Sequence, residues 1–338
     1  MSDFDDSLLD DQEALTRVDA PLRALAGTGA RIRMDAAELV RPDLGPGYRP
    51  RGVVIVGPES RLVRALLEPC CPVPVVAWPF AGLPAWTGPL DLVVVLAGSV
   101  GAGPDEVSSS AEAVRRGAAV IVAAPADSQV ARAADSSSTV RIRTRSEDAL
   151  GSAVAAVSIL HELGLCPPVR PGDVAERADM VAEESSPFHD LSDNPAKDLA
   201  LALADAMPLA WGDSVLAARA ARRVAEALRR ASGRPALAAV SAELLPVIEG
   251  APAHDPFADP DDGPARLRPV LVILNDGERS PAGDEQRDRL VAAAELHDVR
   301  VCAVLADDGG ALDRYVTLRQ KGLYGAAYLE LGLSGRRP

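Results

Sequence analysis

Short, uninterrupted apolar runs alternate with stretches of helical periodicity along most of the chain. Val53–Gly57, Val73–Ala77, Asp91–Ala97 and Ala119–Ala124 each hold a run of aliphatic residues bounded by turn residues. Continuous apolar strands of this kind are what a sheet covered on both faces requires. Val73–Ala77 carries Pro74, which places it at or near a sheet edge. Val140–Arg143 alternates apolar and basic and reads as an outer strand. Helical patterns fill the gaps at Ser60–Leu67, Asp105–Arg116, Ser128–Ala134 and Glu147–Leu163. The pattern restarts further on, with a helix from Pro195, the run Pro208–Trp211 and a long helix over Ser214–Ala231. Strands at Pro269–Leu274 and Val299–Leu305 then alternate with helices at Asp284–Leu296 and Ala311–Gln320. Strands alternating with helices predict parallel sheets with helices on both faces.

Turn residues and composition divide this pattern. Residues 1–44 form an acidic N-terminal segment and a helix, periodic over Asp19–Leu39 and ended by a Pro/Gly stretch. Residues 45–165 form a first α/β domain. Residues 166–193 are rich in Pro, Glu and Asp and read as a linker, and residues 194–338 form a second, smaller α/β unit.

Charge narrows the function classes. Thirty-five Lys and Arg against 49 Asp and Glu leave a net charge of −14. So acidic a chain is unsuited to neutralising nucleic-acid phosphates or to binding an anionic membrane surface. No apolar run approaches the ~18 residues of a membrane span. The start of the chain has acids and no base, unlike a secretion signal. The four cysteines lack metal-ligand spacing, and a reducing, cytoplasmic setting is expected. Nothing in the sequence asks for a metal or a cofactor.

Ligands of open parallel sheets sit beyond the carboxyl ends of the strands. After the first strand comes Gly57-Pro58-Glu59-Ser60, where Ser60 either helps receive a phosphate or simply caps a helix. After the third comes a glycine-rich loop, Gly98-Ser99-Val100-Gly101-Ala102-Gly103. It reads GxxGxG rather than the dinucleotide fingerprint. Its backbone either cradles an anion or serves as a flexible turn.

The order of several motifs resembles that of the bacterial SIS-domain bifunctional phosphoglucose/phosphomannose isomerases. Pro84-Ala85-Trp86 precedes the apolar strand, the glycine loop follows it, and Ala111–Gly117 closes the next helix. Downstream, Asn194-Pro195-Ala196-Lys197, Gly233–Leu237, Ala242-Glu243-Leu244 and Tyr328-Leu329 fall in the family's order. The resemblance runs from about residue 20 to 331. It implies two tandem SIS folds, flavodoxin-like three-layer αβα domains with parallel sheets. It also implies a homodimer, a phosphorylated hexose ligand and aldose–ketose isomerisation. The sugar-phosphate site it implies comprises Gly98, Ser99, Gly101 and Gly103, helped by Ser60.

Departures from the family pattern bear on the chemistry. The hydroxyl side chains of the family's phosphate loop fall on Gly98, Val100 and Gly103. The position of the proton-abstracting Glu falls on Arg230, and that of the ring-opening His on Pro246. An arginine stays protonated at any working pH, and proline offers no acid or base. Glu226, one helical turn from Arg230, is the candidate catalytic carboxylate if catalysis survives. Lys197 reads as an exposed helix lysine, or as one approaching a phosphate. The expectation is a phosphohexose-binding, regulatory protein with a degenerate active site; the alternative is an active isomerase with relocated catalytic groups. A dimer face is expected on the long helix through Leu216, Val224 and Leu228.

Overall fold

The computed structural model describes residues 4–45, 47–97, 103–146, 148–252 and 267–334. Helices α1 (Gln12–Leu15), α2 (Asp19–Ala26) and α3 (Thr28–Ala36) open the chain. The single helix expected over 19–39 is thus two, divided at Gly27, which caps the second.

By contacts the chain forms two units, residues 27–176 and residues 1–26 with 177–338. The first unit follows α3 with β1 (Val53–Val56), α4 (Ser60–Leu67), β2 (Val75–Trp78), β3 (Leu92–Leu96), α5 (Pro104–Arg115), β4 (Ala119–Ala124), α6 (Gln129–Ala133), β5 (Thr139–Arg143) and α7 (Ala149–Glu162). Its strands are all parallel, in the order β2-β1-β3-β4-β5. β1, β3 and β4 are buried along their whole length, as their unbroken aliphatic sequences demand. Pro74 precedes β2, which with alternating β5 forms the two edges. The order reverses between β1 and β3, which makes the crevice above those strand ends the switch point. Gly57 closes that end of β1 with φ 108°, and a Cβ there would stand 2.0 Å from the Leu96 carbonyl oxygen. Only glycine fits such a turn.

Residues 171–184, expected within an irregular linker, are helical: α8 is Pro171–Glu184. Val174, Ala175, Ala178 and Val181 are buried on it. This i, i+1, i+4, i+7 stripe outweighs the acidic composition of the rest of the segment.

The second unit contains α9 (Pro195–Ala202), β6 (Ala206–Gly212), α10 (Val215–Ser232), β7 (Leu237–Ala238), α11 (Ser241–Glu249), β8 (Arg268–Asn275), α12 (Pro281–Leu296), β9 (Arg300–Leu305) and α13 (Ala311–Leu333). Its parallel order is β7-β6-β8-β9, with the switch point between β6 and β8. α10 lies close against α13: a Cβ on Gly322 would meet a Val224 methyl at 2.2 Å. Leu216, Val224 and Leu228 are buried. The apolar face expected to make a dimer is therefore already covered within this unit.

The N-terminal segment packs on the same unit. Leu9, Leu15 and Leu22 are buried, and Asp5 N–H donates to the Gly332 carbonyl at 2.9 Å. Lys197 is fully buried rather than exposed. Its ammonium donates to Asp10 Oδ1 at 2.7 Å, to the His189 carbonyl at 2.7 Å and to the Pro187 carbonyl at 3.3 Å. Burial raises the Asp10 pKa, and the Lys197 hydrogen bond with the Leu191 N–H outweighs it, so the net shift is downward. No described helix is long and apolar enough to cross a membrane.

Candidate functional site

At the first unit's switch point the strands that lead into the two expected turns lie side by side, since β1 and β3 are paired and Gly57 abuts Leu96. Ser60 is buried at the start of α4, with its N–H donated to the Gly57 carbonyl at 3.1 Å. Glu59, also buried, shares the turn. Gly103 precedes α5 without a side-chain cap, and a carboxyl oxygen of Glu106 lies 3.0 Å from where its Cβ would stand. The chain's own carboxyl groups thus crowd the positive ends of α4 and α5, which a phosphate would need. Gly98, Ser99 and Gly101 lie outside the described residues.

The second unit's switch point differs. A cleft of about 350 Å³ opens there, lined among others by Asp213, Asn275, Arg279, Asp284, Arg287 and Asp307. Local structure fixes its walls. Ser214 caps α10, accepting the Ala217 N–H at 3.0 Å and donating its hydroxyl proton to Asp276 Oδ2 at 2.6 Å. Asp276 is fully buried, and its other oxygen accepts the Glu278 N–H at 3.1 Å. Ser280 caps α12 through the Gly283 N–H at 3.0 Å. Gly277, with φ 73°, lets the loop after β8 approach Asp307, whose Cα would be 3.1 Å from a Cβ at that position. The first turn of α12 comes so near the Asp213 carbonyl that a Cβ on Gly283 would stand 2.9 Å from it. The N-termini of α10 and α12 therefore converge on Asp213.

Asp213 is the chemically distinctive group. Its Oδ1 is buried without a hydrogen-bond partner. Burial, reinforced by the neighbouring Asp276 carboxylate, pushes its pKa up from 3.8 to about 6, against the opposing pull of backbone N–H groups and Arg287. A carboxyl titrating there can give or take a proton near neutrality. Arg287 holds Asp284 at 3.0 Å, and the exposed Arg279 lies 3.6 Å from the same carboxylate. These two guanidiniums stand among the four carboxyl side chains of the lining, Asp213, Glu278, Asp284 and Asp307. Among the described residues no group of three or more His, Cys, Asp or Glu side chains is placed to hold a metal ion.

The other sequence candidates do not join this cleft. Glu226 pairs with Arg223 at 3.0 Å on α10, about 16 Å from Val215 by helical rise. Arg230 is exposed near the end of α10, and Pro246 lies within α11. His161 donates at Nδ1 to the Cys166 carbonyl at 3.0 Å, a local tie at the end of α7. Sequence reasoning missed Asp213 and Asp276. The signal for Asp213 is Gly212-Asp213-Ser214, a glycine and an acid before a serine at a helix start, as in the turn after β1.

Residues 192–331 match the family model of the bacterial phospho-glucose isomerase C-terminal SIS domain. The match covers 140 of the 338 residues and includes α9 to β9 and most of α13. No curated protein matches the chain by sequence. Solved structures extend the fold to both units. A glucose-6-phosphate isomerase-like protein from Thermus thermophilus is 16% identical, with 96% of this chain and 92% of that one covered and a TM-score of 0.52. The C-terminal domain of glucosamine-fructose-6-phosphate aminotransferase from Francisella tularensis is 12% identical, with 90% of this chain and 93% of that one covered and a TM-score of 0.61. Tagatose-6-phosphate ketose/aldose isomerase from Escherichia coli is 11% identical, with 95% and 90% covered and a TM-score of 0.60. At these identities the likeness shows the fold: tandem SIS-like α/β domains with parallel sheets. The SIS cleft between β6 and β8 is thus the second domain's own switch-point crevice.

Proposed function

We propose that this protein binds a phosphorylated sugar in the second SIS cleft and does not isomerise it. The observation that carries the reading is the buried, partnerless oxygen of Asp213 at a switch point. A buried acceptor without a donor is rare and calls for one, and a sugar hydroxyl supplies it. Arg279 and Arg287 exchange Asp284 for the ligand's phosphate, aided by the N-termini of α10 and α12. The phosphosugar names of the structural neighbours agree with that chemistry.

Isomerisation needs a base at the sugar's C1 and C2 and a second group to open the ring. The family positions for these hold Arg230 and Pro246, and the residues lining the cleft include no histidine. A binding protein that regulates phosphohexose chemistry follows. The second reading is an active isomerase with a relocated base, and the raised pKa of Asp213 favours that residue over Glu226.

Thermal unfolding with glucose 6-phosphate, fructose 6-phosphate and mannose 6-phosphate tests binding. A ligand at 100 times its Kd adds about 2.7 kcal/mol of stability. Asp213→Asn is expected to reduce the shift by about half or more, and Ser99→Asp to leave it. The reverse result moves the site to the loop Gly98–Gly103. A coupled isomerase assay on the same protein is expected to show no turnover. Turnover of about one per second, lost in Asp213→Asn, replaces the binding reading with the enzymatic one.

A further inference from the structure

Three cavities of the second unit meet around the end of β9. The cleft beside Asp213 is lined in part by Leu305 and Asp307. A smaller cavity of about 110 Å³ shares both residues with it and adds Lys321. A groove of about 560 Å³ shares Leu305 and Lys321 in turn and runs back along β9 to Arg300. Leu305 lines all three, and its side chain is 55% exposed. The wall is held in place there: Lys321 Nζ donates to the Leu305 carbonyl at 3.1 Å, and Arg177 holds Asp308 at 2.6 Å. The cleft and the groove thus adjoin across one leucine side chain. The cleft alone is near the lower end of the size of small-molecule sites, and the groove more than doubles the space.

The groove is polar where it meets the cleft and apolar beyond. At the near end stand Lys321 and Ser185, whose neighbour Glu184 lies 3.9 Å from the Lys321 ammonium. Ser185 is 1% exposed. Its N–H donates to the Val181 carbonyl at 2.9 Å, and its carbonyl accepts the Tyr328 hydroxyl at 2.7 Å. Its own hydroxyl is buried and has no partner among the described residues. A buried polar group in that state calls for one. Beyond it, Ala196, Leu199 and Ala202 of α9 line one side, and Val301, Ala303 and Val304 of β9 the other. The one acid of the lining, Asp198, is exposed on α9. Arg300 closes the far end, turned to the Ala202 carbonyl at 3.5 Å. From Arg300 to Leu305 the strand spans about 16 Å, at about 3.3 Å per residue.

We infer that the phosphorylated sugar bound in the cleft carries an apolar substituent, an alkyl or acyl chain, that passes Leu305 and lies in this groove between α9 and β9. The inference rests on the sugar-phosphate reading and adds the class of sugar phosphate. The oxygen that links chain to sugar accepts the Ser185 hydroxyl proton at the junction. The chain beyond it leaves water for the aliphatic lining. A fully buried methylene is worth about fourfold in affinity, so even a partly covered chain decides which sugar phosphates are retained.

Isothermal titration of the full-length protein with octyl and methyl glucoside 6-phosphates tests this, with the octyl compound kept below its micellar concentration. The two differ only in chain length, and the octyl compound is expected to bind at least about tenfold more tightly. Cys302, a free, half-buried thiol of the groove lining, reports where the chain lies. Its alkylation by iodoacetamide, followed by mass spectrometry of the Cys302 peptide, is expected to slow several-fold with the octyl compound and to be unchanged with the methyl one. Octyl glucoside without the phosphate is expected to give no protection at the same concentration. Equal affinities for the two phosphates overturn the inference and leave the sugar-phosphate reading standing. Tighter octyl binding that leaves Cys302 unprotected overturns it too, as does protection that does not need the phosphate. If neither phosphate binds, the inference falls together with the reading it rests on.

Discussion

The two switch-point crevices begin alike and end differently. β1 ends in Gly57 and β6 in Gly212, each pressed against backbone: a Cβ would meet the Leu96 oxygen at 2.0 Å in one and the Ala217 carbonyl carbon at 2.1 Å in the other. Each glycine is followed by an acid and a serine at the helix start. In the first unit Glu59 is buried in the turn and Glu106 curls over Gly103. In the second, Asp276 is satisfied by Ser214 and Glu278, while Asp213 keeps one oxygen without a donor beside a cleft. Among the described residues, the cleft that opens beside Asp213, rather than the carboxyl itself, sets the second turn apart.

The largest expected effect tests the shared beginning. Gly57→Ala and Gly212→Ala each force a methyl into backbone, and the first also strains a positive φ. Each is expected to cost about 3 kcal/mol or more, read by urea unfolding. If one is tolerated, the two turns are not equivalent. Next comes the difference between them. Asp213→Asn is expected to weaken sugar-phosphate binding at least tenfold, about 1.4 kcal/mol, while Glu59→Gln leaves it unchanged; isothermal titration with both variants reads this. Equal losses would erase the distinction.

A pH series sharpens it further. Asp213 binds its proton more tightly in the folded protein, about 6 against an ordinary 3.8. Its contribution favours the folded state below about pH 4 and is lost as pH rises to about 6. Discounted for its partial exposure, the effect is about 1 kcal/mol. Asp213→Asn is therefore expected to match the parent near pH 4 and to exceed it by that amount at about pH 7.5, in denaturant midpoints at each pH. The smallest effect is expected for Glu226→Gln. Breaking its partly exposed pair with Arg223 should change stability by less than about 0.5 kcal/mol, and ligand affinity not at all. A tenfold loss of affinity there would return the site to α10.

Much of the fold was legible because burial on both faces leaves an unmistakable record. Val53–Val56, Leu92–Leu96 and Ala119–Ala124 could be little else than interior parallel strands, and Pro74 marked an edge. α8 was harder to see because its four buried aliphatic residues lie among acids, so composition hid a periodic stripe. The end of α2 at Gly27 depended on a cap rather than on periodicity, which continues past it. Lys197 looked like a surface lysine because its partners, Asp10 and two backbone carbonyls, come from segments distant or irregular in sequence.

By itself, then, the sequence determined the alternation of strand and helix, the two parallel sheets, and the resemblance that the SIS match supports. These are properties of residue type and spacing, and they survive without knowing what touches what. Tertiary structure alone decided that Leu216, Val224 and Leu228 are buried within their own unit, that Glu226 stands apart from the cleft, and that Asp213 lies half-buried beside Asp276. A carboxyl's pKa depends on solvent access and on charges brought near by the fold. Aspartates 63 positions apart in the chain (276 − 213 = 63) become neighbours only because β6 and β8 pair.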